Sequence, residues 1–91
     1  MPETHHETAL FTGRVQGVGF RYTALQTARE FEVCGFVSNL PDGRVLLEVE
    51  GAPEEVNAFI SAVQERMHGY LRKVDRQAHR REAQFRGFTI R

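Results

Sequence analysis

The sequence predicts an α+β domain: an antiparallel sheet with two helices packed on one face, in the order β-α-β-β-α-β. Three observations predict it. Apolar residues alternate along Glu7 to Val15 and again from Val45 to Val49, the period of a half-buried strand. They recur every three or four residues along Arg21 to Phe31 and Val56 to Met67, the period of an amphipathic helix. Between the second and third strands stands Pro41-Asp42-Gly43, a turn signal that folds the two into a hairpin.

Each element has its own warrant. In the first strand Ala9, Phe11 and Val15 alternate with Thr8, Thr12 and Arg14. After a glycine-rich loop, Tyr22, Leu25, Ala28 and Phe31 mark one face of the first helix. Val33 to Leu40 reads as the second strand. In the third, Val45, Leu47 and Val49 alternate with Leu46, Glu48 and Glu50. The second helix opens on Pro53, which suits a first turn, and on Glu54 and Glu55, which suit the positive end of the dipole. Val56, Phe59, Ile60, Val63 and Met67 form its core stripe, and Gly69 ends it. Beyond it, Lys73 to Ala78 and Phe85 to Ile90 read as strands flanking a polar turn, a basic solvated hairpin that splits the last element.

The bulk numbers narrow the function. The 91 residues, 41% of them hydrophobic, suffice for one core. Residues 1–6 read as a flexible tail and 7–91 as a single domain. Twelve basic and twelve acidic side chains cancel, so no global field draws the chain to nucleic acid or membrane. The single cysteine, Cys34, allows no internal disulfide and fits a cytoplasmic setting. No run nears the roughly 20 apolar residues of a membrane span, and the N-terminus lacks a secretory signal.

In the split βαβ arrangement the first two strands run parallel with the third between them. Their carboxyl ends then share one edge of the sheet. That brings the loop "GRVQGVGFR" near Ser38, Asn39 and Leu40, two strand spacings or on the order of 10 Å away. Two readings of the loop stand side by side. Its glycines can simply make a tight strand-to-helix turn. Equally, the amides of Gln16, Gly17, Val18, Gly19, Phe20 and Arg21 can curl into a nest for an oxyanion at the positive end of a helix. Arg21 would then add a planar fork of donors.

Asn39 also has two readings: a turn-starting residue before Pro41, or a carboxamide that holds a water. Nucleotide motifs are absent, since the loop ends Gly-Phe-Arg rather than Gly-Lys-Ser/Thr and Tyr22 stands where a dinucleotide fingerprint needs glycine. Cys34, with no arginine shortly after it, reads as a packing residue. His5, His6, His68 and His79 are scattered, read as solvated, and make no metal set. Arg76, His79, Arg80 and Arg81 near Phe85 lack the aromatic pattern of an RNA-binding sheet.

"GRVQGVGFR", followed by "GFVSNLPDGRVLLEVEG" and the closing "GFTIR", resembles the acylphosphatase family from about Ala9 to Arg91. The resemblance implies a ferredoxin-like α/β sandwich. It implies hydrolysis of acyl phosphates to carboxylate and inorganic phosphate without metal or cofactor. The family's catalytic arginine falls on Arg21 and its catalytic asparagine on Asn39. After Met67 the chain departs from the family's usual Gly-Pro with His68-Gly69-Tyr70-Leu71. The chain opens on methionine and closes as the fold closes, which points to a free-standing monomeric enzyme rather than a recognition unit at the front of a larger protein.

Overall fold

The computed structural model describes residues 3–91. Strand β1 (Glu3–Gly13) leads through the glycine loop to helix α1 (Phe20–Ala28), then strands β2 (Val33–Asn39) and β3 (Val45–Gly51), helix α2 (Pro53–Arg66), and a single 3₁₀ turn at His68–Tyr70. Strands β4 (Leu71–Glu82) and β5 (Phe88–Ile90) complete the chain. The sheet runs β4-β1-β3-β2-β5. β3 pairs antiparallel with both β1 and β2, so β1 and β2 run parallel, as the split βαβ order requires.

Register sets the layers. Ala9 lies opposite Leu47, which in turn lies opposite Val37, and all three are fully buried. Residues two apart share a face, so Phe11, Val45, Val49 and Val33 join them under the helices. α2 closes this core with Val56, Phe59, Ile60 and Val63, joined by Met67 at its C-cap, all buried as their spacing predicts. α1 is partly rotated from its expected phase: of the expected stripe Ala28 is buried and Phe31 packs against the core, but the other buried residues are Phe20, Ala24 and Thr27 rather than Tyr22 and Leu25. The helix starts on Phe20, whose ring packs 4.9 Å from that of Phe11. At 3.6 residues per turn this puts Tyr22 roughly 200° away, on the outer side. Arg66 ties the helices together, donating to Thr27 Oγ1 at 2.7 Å and to Glu30 at 2.6 Å.

Three further expectations are corrected. The sheet is mixed, because β5 pairs parallel with β2. The polar turn with a basic hairpin does not form; β4 runs unbroken from Leu71 to Glu82 along β1, and β5 lies at the far edge. The chain between them crosses the helix-free face. Four strand spacings make about 19 Å, and six steps of about 3.3 Å from Glu82 to Phe88 just cover it. The Glu50 carboxylate pins the crossing by accepting the N–H groups of Gln84 and Phe85 at 2.8 and 2.7 Å. Arg76, His79 and Arg80 stay exposed as expected, and Arg76 also forks onto Glu7 at 2.7 and 2.8 Å.

The third correction concerns the tail. Residues 3–6 are strand, paired with β4 from Glu3 opposite Glu82; residues 1 and 2 lie outside the described residues. His6 is therefore not solvated but 1% exposed, between Glu50 on β3 and His79 on β4. Burial, with Arg81 and His79 nearby, lowers its pKa against the opposing pull of Glu48 and Glu50.

Candidate active site

The site begins where β1 ends. Arg14 N–H donates to the Tyr70 carbonyl at 2.9 Å, which fixes the exit from the strand. Val15 and Phe20 are both buried, and between them Gln16, Gly17 and Gly19 are exposed while Val18 packs against the core. Gly17 and Gly19 each take φ of +78°. A Cβ at either would meet nothing, so the left-handed backbone, not crowding, selects glycine there.

Gly19 in this conformation is the N-cap of α1, with no side-chain cap and no acidic residue in the first turn. The first amide to gain a helical bond is that of Thr23, on the Gly19 carbonyl at 2.9 Å. The N–H groups of Phe20, Arg21 and Tyr22 thus have no intrahelical acceptor, as at any helix start. Unpartnered donors at the positive end of a dipole make a site suited to an anion.

β2 supplies the other side. Asn39 and Phe11 both pair with Val45, from opposite sides. Asn39 thus stands two strands from the end of β1, at the same height. Gln16 bridges the gap: its Nε2 donates to the carbonyls of Leu40 at 2.8 Å and Arg44 at 3.1 Å. Its side chain clamps the loop to the β2–β3 turn, a contact the sequence did not reveal. That turn is itself closed by Leu40 N–H on Arg44 O at 2.8 Å.

One cleft of about 240 Å³ results, lined by Val15, Gly17, Gly19, Phe20, Arg21, Tyr22, Asn39 and Ile90. It gathers five of the seven residues singled out in the sequence. The other two flank it: Gln16 in the clamp, and Val18 packed against the core. Arg21 is exposed, and among the described residues no carboxylate pairs with it. The lining offers no carboxylate, imidazole or thiol, and no cluster of three or more such groups that could hold a metal ion occurs among the described residues. Tyr22 and Ile90 are lining residues that sequence reasoning missed. Tyr22 falls on the face that the helical period marks as apolar, yet it is exposed. Ile90 carried no signal, since its place depends on the crossing after β4.

Fold and cleft together define a small α+β sandwich with an open cleft at the start of its first helix. The chain belongs to the acylphosphatase family, whose model matches residues 7–90 and whose reaction is the hydrolysis of acyl phosphates. It is 35% identical over 81 residues to an acylphosphatase of Methanospirillum hungatei, covering 89% of this chain and 87% of that one. The crystal structure of the acylphosphatase from Bacillus subtilis superposes with a TM-score of 0.85 at 28% identity, covering 94% of this chain and 97% of that chain. Full-length HypF in its phosphate- and nucleotide-bound form matches at TM-score 0.76 and 25% identity, over 98% of this chain but only 12% of the HypF chain. No helix among the described residues is long and apolar enough to cross a membrane.

Proposed function

We propose that this cleft hydrolyses acyl phosphates by attack of water at phosphorus, without metal, with Arg21 and Asn39 as its catalytic residues. The observation that carries the reading is their meeting in one cleft with the glycine loop and the uncapped start of α1. The phosphoryl oxygens accept hydrogen bonds from the amides of Gln16 to Arg21 and from the Arg21 guanidinium. These donors are fixed before the reaction and neutralise charge on the equatorial oxygens as the transition state loosens. Asn39 holds the water in line.

The new bond forms between the water oxygen and phosphorus. The bond from phosphorus to the acyl oxygen breaks, and its electron pair leaves with the carboxylate. The water's proton passes to a phosphoryl oxygen. A carboxylate is already a good leaving group, so no protein acid is required, and a lining without metal ligands supports a metal-free reaction. The lone thiol of Cys34 fits a cytoplasmic enzyme.

The test is hydrolysis of benzoyl phosphate by the purified protein with and without EDTA, beside Arg21→Lys. Turnover should survive EDTA. It should fall sharply in the lysine variant, which keeps the charge and loses the planar grip. Activity that EDTA abolishes and magnesium or zinc restores would refute the metal-free reaction. An Arg21→Lys variant with wild-type kcat/KM would remove Arg21 from the mechanism.

A further inference from the structure

We propose that Tyr22 and Ile90 form the subsite for the acyl group and select acyl phosphates with a bulky apolar acyl chain; this rests on the cleft being the site of hydrolysis. Three large hydrophobic side chains are exposed among the described residues: Tyr22 at 62%, Tyr70 at 44% and Ile90 at 40%. Two of the three line the one cleft that also holds Arg21 and Asn39. They come from different elements.

Tyr22 belongs to the first turn of α1, next in the chain to Arg21 and on the side of the helix turned away from its core residue Phe20. Ile90 pairs with Val37, two residues before Asn39 on the neighbouring strand. One strand spacing sideways and two rises along place it about 8 Å from Asn39. Phe88, two residues earlier and so on the same face, packs against Phe59 with ring centroids 5.4 Å apart. Ile90 continues that apolar row past the core and into the cleft.

Both side chains are exposed, and neither can bind a phosphoryl group by charge. The cleft, about 240 Å³, extends beyond the glycine loop to these two side chains. Polar donors at the bottom with an aromatic and a branched aliphatic residue at the side suit a molecule with an anionic head and an apolar body.

Steady-state kinetics on benzoyl phosphate and acetyl phosphate test this with wild type, Tyr22→Ser, Ile90→Ser, the double variant, and the conservative Tyr22→Phe and Ile90→Val. The wild type should favour benzoyl phosphate in kcat/KM. Each serine variant should lower the benzoyl-to-acetyl ratio about tenfold, the scale of one apolar pocket contact. The loss should appear mainly in KM, since the contact is made equally in ground and transition states. The conservative variants should keep the ratio. A double variant with the wild-type ratio, or serine variants that lose both substrates equally, would overturn the subsite. A wild type inert to both substrates would overturn the reading of the cleft itself, and the subsite with it.

Discussion

Removing the Gln16 carboxamide loosens the tie between the two halves of the site while leaving the backbone amides of the loop and Asn39 in the chain. In Gln16→Ala the loop loses the two hydrogen bonds, at 2.8 and 3.1 Å, that tie it to the turn following Asn39. Gln16 is exposed, so each bond contributes near the lower end of the usual range. Together they should cost about 1 kcal/mol of stability. The catalytic consequence should be larger. A misplacement of about 1 Å between a nucleophile and its target can cost on the order of 100-fold. Freeing the loop at one of its anchors should lower kcat/KM by roughly tenfold.

Gln16→Glu sharpens the test, because it keeps the shape and removes both donors. A carboxylate facing two carbonyl oxygens, beside a site for an anionic substrate, should be repelled from its seat. It should lose more than the alanine variant, on the order of 100-fold in kcat/KM. Urea unfolding reads the stability, inhibition by inorganic phosphate reads the nest, and steady-state kinetics on benzoyl phosphate read the alignment. A Gln16→Glu enzyme with wild-type kcat and KM would refute the clamp.

Asn39→Ala should leave phosphate inhibition near its wild-type value while kcat falls about 100-fold, roughly 3 kcal/mol, as expected for one essential positioning contact. An alanine variant that loses about 1 kcal/mol of stability but keeps its rate would confine Asn39 to shaping the turn. Stability should also follow Glu7. Burial pushes its carboxyl up, but the fork from Arg76 and the contact with His5 outweigh burial and hold it below its ordinary 4.5. A depressed carboxyl stabilises the fold above the unfolded value and loses that contribution as pH falls through the folded one. The urea midpoint of the wild type should therefore drop as acid is added below about pH 4.5. Arg76→Ala should cost about 3 kcal/mol at neutral pH by leaving the buried Glu7 carboxylate with only its His5 contact, and its midpoint should depend less steeply on pH in that acidic window. An equally steep profile would show that Glu7 is not the group responsible.

The hairpin at Pro41 to Gly43, the five-residue stripe of α2 and the alternation of β1 and β3 were legible in the sequence. Each is written in contacts between residues a few positions apart, where the helix or strand period dictates which side chains share a face. The meeting of Arg21 with Asn39 was legible too, because the split βαβ order fixes which strand ends share an edge. The rest depended on partners distant in the chain. β4 is a run of mostly charged and polar residues with little alternation. It is strand because β1, extended back to Glu3, offers a full-length backbone ladder, and ladder hydrogen bonds are the same whatever the side chains.

That extension buries His6 and carries the chain across the sheet. The crossing then delivers β5 to the edge beside β2, and with it Ile90 to the cleft. The phase of α1 is set by distant partners, among them Phe11, whose ring packs against Phe20, and α2, whose Arg66 reaches Thr27. Gln16 finds its acceptors 24 and 28 positions away. Periodicity records which face of an element is apolar; it does not record which element that face will meet, and the tertiary structure decided those pairings.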